Sequence, residues 1–207
     1  MICNGHLSGA SYRAGNGVGP RRVDDRRVIS GIIHVLQSGM RWRDCPKEYG
    51  PSTTICNRWH RWSQQGLWQR MFNELSQIVG THYENAIDST AIKVHRSARG
   101  KKGAKTRPWA QAAAAAQLHA VIDRKGRPLR FLLSGGQCFD GKAAVPLLKP
   151  LPKPYRHNKR AYRHCNKIER MFCRLKDARR IATRYDKCAN NFLSAVCLVA
   201  LIYFWLN

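Results

Sequence analysis

The stretch YRHCNKIERMFCRLKDARRIATRYDK, residues 162–187, decides how the rest of the chain is read. On a helix, Tyr162, Cys165, Glu169 and Lys176 fall at offsets of 0, 3, 7 and 14 and therefore share one stripe. Ile168, Met171, Phe172 and Leu175 lie on a neighbouring stripe suited to a core. A carboxylate and a lysine two turns apart are thus presented on one rigid face among many arginines. That is a way to set a metal ligand beside a phosphate anchor. The same spacing also suits an amphipathic surface helix with an incidental Glu/Lys pair, and spacing alone does not choose between them.

The bulk composition narrows the choice of partner. Over 207 residues, 37 Lys and Arg stand against 12 Asp and Glu, a net charge of +25. A surplus of this size repels itself and calls for a polyanion, with nucleic acid ahead of an anionic membrane. A ribosome-associated or general RNA-binding protein would have the same balance. The hydrophobic fraction of 43% is enough for a packed core. The eight cysteines include no C-x-x-C pair and no zinc-ribbon spacing, so reduced thiols in a cytoplasmic protein are expected. The apolar run from Phe192 to Leu206 is shorter than the roughly 20 residues of a bilayer span and reads as a buried helix.

Outward from residues 162–187, the chain divides by periodicity. Residues 1–22 are rich in Gly, Ser and Arg and read as a disordered basic arm. Val28, Ile29, Ile32, Ile33 and Leu36 recur at helical spacing before Gly39. A second helix is expected from Ser52 or Thr53 to about Gly66, with Ile55, Trp59 and Trp62 inward and Asn57, Arg58, His60, Arg61 and Gln64 outward. A third, from Leu67 to about Val79, would turn Trp68, Met71, Phe72, Leu75 and Ile78 to the core. Three helices with a basic, amide-rich middle one, spanning residues 23–80, fit a helix-turn-helix module, and equally a structural bundle; the net charge favours DNA.

Asn85 to about Ser89 reads as a short strand ending near Asp88, and lone aspartates cap turns more often than they bind metal. Lys93 to Arg107, which includes Lys101 and Lys102, reads as a basic loop suited to phosphate contacts. WAQAAAAAQ, residues 109–117, is helical by propensity alone. Residues 118–123 and 128–136 flank a Gly-containing turn and predict a β-hairpin. KPLPKP, residues 149–154, continues neither a helix nor a central strand.

Four segments, in order, resemble the DDE transposases of small bacterial insertion sequences: VDDRRVISGIIHVLQSGMRWRDCPKEYGPSTTICNRWHRWSQQGLWQRMF, IDSTAIKVHRSARGKKGA, HAVIDRKGRPLRFLLSGGQ and IERMFCRLKDARRIATRYDKCANNFLSAVCLVALI. The resemblance runs from about Val23 to the C-terminus. It implies an α/β chain: the trihelical module first, then a ribonuclease H-like mixed sheet with flanking helices over residues 81–207. It implies a reaction in which three carboxylates hold Mg²⁺, or Mn²⁺ in its place, for strand cleavage and transfer. Asp88 matches the first acid and Glu169 the last. In the family's Y-x2-R-x3-E-x6-K pattern, Tyr162 and Lys176 are expected DNA contacts, with Arg179 and Arg180 beside them and Asn57, Arg58, Arg61, Lys101 and Lys102 elsewhere. The implied partners are double-stranded DNA at terminal inverted repeats and at the target, with a homodimer as an option, in the cytoplasm at the nucleoid.

Two departures from the family bear on chemistry. Cys165 stands where the pattern has arginine, and a thiol replaces neither the fixed charge nor the bidentate donor. The second acid, expected on a strand well after SGGQ, has no matching segment, which makes the sheet incomplete and points to an internal deletion between about residues 140 and 160. Asp123 and Asp140 are the weak substitutes. The expectation is a chain that binds DNA without cutting it; the alternative is a non-enzymatic fragment that competes with intact transposase for the element's ends.

Overall fold

A computed structural model of the chain describes residues 23–79, 85–98, 116–135, 140–149 and 166–206. The basic arm, Lys101, Lys102, Tyr162 and Cys165 lie outside the described residues.

The first three helices form where the periodicity places them: Asp25–Ser38 (α1), Ser52–Gln64 (α2) and Leu67–Val79 (α3). Gly39 ends α1 with a left-handed φ of 76°, and its N–H bonds the carbonyl of Val35. Gly31, inside α1, is required for another reason. A Cβ there would stand 2.8 Å from the Cβ of Tyr49 and 3.0 Å from Cδ1 of Ile55. The segment after α1 and helix α2 therefore close directly onto its backbone.

Nine residues of extended chain, Ala86–Val94, form β1; Ala116–Ile122 form β2 and Pro128–Gly135 form β3. The strand order is β3-β2-β1-β4, where β4 is the two-residue strand Thr183–Arg184. The first three strands are an antiparallel meander, with Asp88 opposite Ala120, and β4 joins β1 in parallel at Lys93 and Val94. Among the described residues, β1 from Ala86 to Ile92 has no strand on its β4 side. The expected hairpin is present. The strand carrying Asp88 is longer than its composition implied, because its second half pairs with Gln117 and Ala116. Those two residues also correct the helical reading of the Ala-rich run at its C-terminal end: cross-strand pairing outweighs alanine's helical propensity there.

Helix Asp140–Leu148 (α4) follows, with Pro146 inside it, then Asn166–Lys176 (α5), the short Arg179–Ala182 (α6) and Ala189–Ala200 (α7). A π-helical turn, Leu201–Trp205, continues α7. The apolar C-terminal run is a largely buried helix through Leu201, as its composition predicted, while Ile202, Tyr203, Phe204 and Trp205 are half-buried and Leu206 is exposed; among the described residues no helix is long and apolar enough to cross a membrane.

One main core joins most of the elements, and Val121, Leu129 and Leu147 form a smaller second cluster between the sheet and α4. The main core runs from Val28, Ile32 and Leu36 of α1 through Ile55 and Trp59 of α2 and Trp68 and Phe72 of α3. From there it continues to Phe192, Val196 and Val199 of α7, to Leu118 and Ile122 of β2 and to Ile168, Met171, Phe172 and Leu175 of α5. Trp59 is stacked between Trp42 and Trp68, with ring centroids 5.9 and 6.2 Å away. The first three helices are therefore packed into the body of the protein. Two residues of α3 depart from expectation: Met71 is 44% and Ile78 81% exposed. Trp68, Phe72 and Ser76, four residues apart, take the buried stripe and turn Met71 and Ile78 outward.

Candidate active site and nucleic-acid interface

Side chains alternate along β1, so Ala86, Asp88, Thr90 and Ile92 share a face. Ile92 is buried in the main core and Ala86 packs against it, which turns this face toward α5. Asp88 itself is exposed; one carboxylate oxygen accepts the N–H of Ser89 at 2.8 Å.

Helix α5 is amphipathic as the spacing predicted. Ile168, Met171, Phe172 and Leu175 are buried, while Glu169, Arg170, Cys173 and Arg174 are exposed. It lies along β1 in a direction that two lysines define. Lys167 Nζ donates to the carbonyl of Arg124 at 2.9 Å, in the turn after β2, whose last residue Ile122 faces Ala86. Lys176 Nζ donates to Thr90 Oγ1 at 2.7 Å and to the carbonyl of Ala91 at 3.3 Å. The helix therefore starts at the Ala86 end of the strand and finishes level with Thr90. Glu169 is two turns, ~10 Å, before Lys176. Asp88 is two strand residues, ~7 Å, before Thr90. The helix and the strand thus step back together, which sets Glu169 toward the Ala86 end of β1, the end that carries Asp88.

Asp88 and Glu169 are hard oxygen donors, open to solvent, of the kind Mg²⁺ takes. Among the described residues no group of three or more Asp, Glu, His or Cys is assembled to hold a metal. Asp123 is committed elsewhere. It is buried, accepts the N–H groups of Lys125 and Arg127 at 2.9 Å each, and takes a two-point contact from the Arg127 guanidinium at 2.9 and 2.7 Å. It shapes the hairpin turn. Asp140 opens α4. The residues present fit the carboxylate pair of a divalent ion site and do not assemble a third acid.

Of the expected DNA contacts, Asn57, Arg61 and Arg179 are exposed. Arg58, expected to face outward on α2, is buried and paired with Asp25 at the start of α1. Burial between two helices that share the core turns this guanidinium inward to the nearest carboxylate. Arg180, expected beside them, is 5% exposed. Its guanidinium donates to the carbonyl of Met40 at 3.3 and 3.4 Å, lies over Trp42 and Tyr185, and faces Asp186 at 3.7 Å. Both arginines are held against the protein's own groups.

Asp186 was not singled out by spacing. It sits at the junction of the two halves, and burial pushes its carboxyl above the usual range against the opposing pull of Arg180, His60 and Arg184. Burial likewise depresses Arg180. Beside it Asn191 of α7 donates to His60 Nδ1 at 2.9 Å, and Gln64 donates to Asn191 Oδ1 at 3.4 Å. His60 and Gln64 are exposed, as expected of the outward face of α2, and both also reach Asn191 of α7. The one sequence signal for this junction is an acid isolated among arginines in RIATRYDK.

Comparison with known families places the chain in the transposase class. Residues 139–206 match the family model described as "Transposase DDE domain", and residues 5–72 match "Putative transposase of IS4/5 family". The chain belongs to these IS4/5-type transposases, whose DDE domain has the ribonuclease H-like fold. It is 31% identical over 87 residues to "Uncharacterized protein y4sN" of Sinorhizobium fredii, covering 42% of this chain and 68% of that one. It is also 31% identical over 96 residues to "Insertion element IS402 uncharacterized 16.2 kDa protein" of Burkholderia cepacia, covering 43% and 64%. The chain thus spans about two thirds of each of these relatives. No solved structure matches it.

Proposed function

We propose that this protein binds the terminal inverted repeats of an insertion element and holds a divalent ion at Asp88 and Glu169, without cleaving DNA. The observation that carries this reading is that β1 and α5 pack together and each bears an exposed carboxylate, Asp88 and Glu169, while Asp123 is committed to a structural turn. A bound Mg²⁺ would supply charge neutralisation at a phosphodiester. A third carboxylate is needed for the ion pair that serves both the attacking and the leaving oxygen. The short span between α4 and α5 fits loss of the strand that would bring it, and so does the β1 edge, which from Ala86 to Ile92 has no strand on its β4 side among the described residues. The net charge of +25 and the exposed Asn57, Arg61 and Arg179 support phosphate contact by the helical face and the region after α5.

The test is a binding and cleavage assay on a terminal-repeat duplex with Mg²⁺ and with Mn²⁺. Binding should weaken steeply with salt and survive both Asp88→Asn and Glu169→Gln, with no nicked product. Metal-dependent cleavage abolished by Asp140→Ala or Asp123→Ala would instead supply the missing acid and restore the full enzyme. End-specific binding that is outcompeted by structured RNA would move the protein out of transposition.

A further inference from the structure

We infer that Lys176 and Lys167 are positioning residues, two ties that set how far α5 sits along β1 and so where Glu169 stands relative to Asp88. The inference rests on the reading of Asp88 and Glu169 as one metal site. The buried face of α5, formed by Ile168, Met171, Phe172 and Leu175, fixes which side of the helix meets the sheet. Apolar contact is non-directional, so it resists sliding along the strand only weakly. Hydrogen bonds from an ammonium are directional and charge-assisted. The two ties bracket Glu169: Lys167 to the carbonyl of Arg124 at 2.9 Å, and Lys176 to Thr90 Oγ1 at 2.7 Å. Thr90 is the next residue after Asp88 on the same face of β1, so the Lys176 tie refers the helix to the strand position that carries the first acid.

The contact with Ala91 adds a second point of attachment for the same nitrogen. Lys176 Nζ also bonds the carbonyl of Ala91 at 3.3 Å, in the stretch of β1 that has no strand on its β4 side among the described residues. The lysine thus touches both a side chain and the backbone of the strand while it holds the helix. An ammonium engaged this way is held against the protein's own strand, which separates it from a lysine whose work is to grip phosphate.

Thr90→Val distinguishes the two, because it removes the tie and leaves Lys176 free for DNA. Mn²⁺ affinity, followed by the loss of the free-ion paramagnetic resonance signal in the absence of DNA, should fall about tenfold in both Thr90→Val and Lys176→Met. The double variant should be no weaker than Lys176→Met alone, because Lys176→Met already removes the Thr90 bond together with the Ala91 contact. Terminal-repeat binding should stay within about twofold for Thr90→Val, and the melting temperatures should match wild type. Amide hydrogen exchange over residues 166–176, measured without metal, should be faster in both variants. Faster exchange with a wild type that takes up no Mn²⁺ upholds the ties and removes the metal reading. Exchange and Mn²⁺ affinity unchanged by Thr90→Val, with Lys176→Met weakening DNA binding and lowering its salt dependence, would overturn the inference and make Lys176 a phosphate contact.

Discussion

The helical half and the sheet half of this molecule spend their side chains differently. In the helical half, indole stacks on indole and Arg58 is turned inward, and at its junction with the C-terminal region the buried Arg180 faces the partly buried Asp186. In the sheet half, the two acids that match the family pattern stay in solvent, and most of one edge of β1 has no described partner. One half is organised to be rigid. The other keeps hard oxygen donors free, which is the state a divalent ion requires. Stability and chemistry thus reside in separate places, although a single core runs beneath both.

The largest effect is expected in the helical half. Trp59→Ala removes a fully buried indole from between two others, at a cost of about 3–5 kcal/mol in denaturant unfolding, a large part of the ~5–15 kcal/mol that holds a typical domain. Because the core is shared, the signal from the sheet should be lost in the same transition as the helical signal. Two separated transitions would break the comparison, by making the halves independent.

A smaller effect, with a definite sign, is expected at Asp186. Burial raises its folded-state pKa above the unfolded value, so the native state holds the proton longer. The stabilisation that follows is complete below about pH 4 and is lost as pH climbs through the folded value. Asp186→Asn does not titrate. The melting temperature of wild type minus that of the variant should therefore fall over this window; a rise would mean that Arg180, His60 and Arg184 outweigh burial. The smallest effect is expected at the exposed acids: Asp88→Asn and Glu169→Gln should leave the melting temperature within a degree or two of wild type while weakening Mn²⁺ binding.

Much of this was legible in the residues. Val28, Ile32 and Leu36 gave α1, Gly39 its end, and the apolar runs either side of Gly126 the hairpin, because each signal is local and periodic. The stripe of Ile168, Met171, Phe172 and Leu175 placed Glu169 on the outer side of α5. What the residues hid depends on partners distant in the chain. Arg58 and Arg180 look like surface cations in any window, and only Asp25, Met40 and Trp42 draw them in. Asp123 and Asp88 both sit at or near a strand end, and only the guanidinium of Arg127 tells the structural acid from the available one. The segment 162–187 was read as a helical stripe, whereas the described part of it breaks after Lys176 into a short helix and a strand that pairs with β1.

The shared core also bears on how such a protein can change over generations. A DNA-reading head with its own core can be exchanged whole between unrelated catalytic bodies. Here Asn57 and Arg61 stand on a helix whose opposite side, Ile55 and Trp59, belongs to the interior of the entire chain. On the proposed reading, in which α2 meets the element's ends, an element whose terminal sequence drifts has no replaceable part to trade. Its protein would follow one exposed residue of α2 at a time, with the buried side held constant.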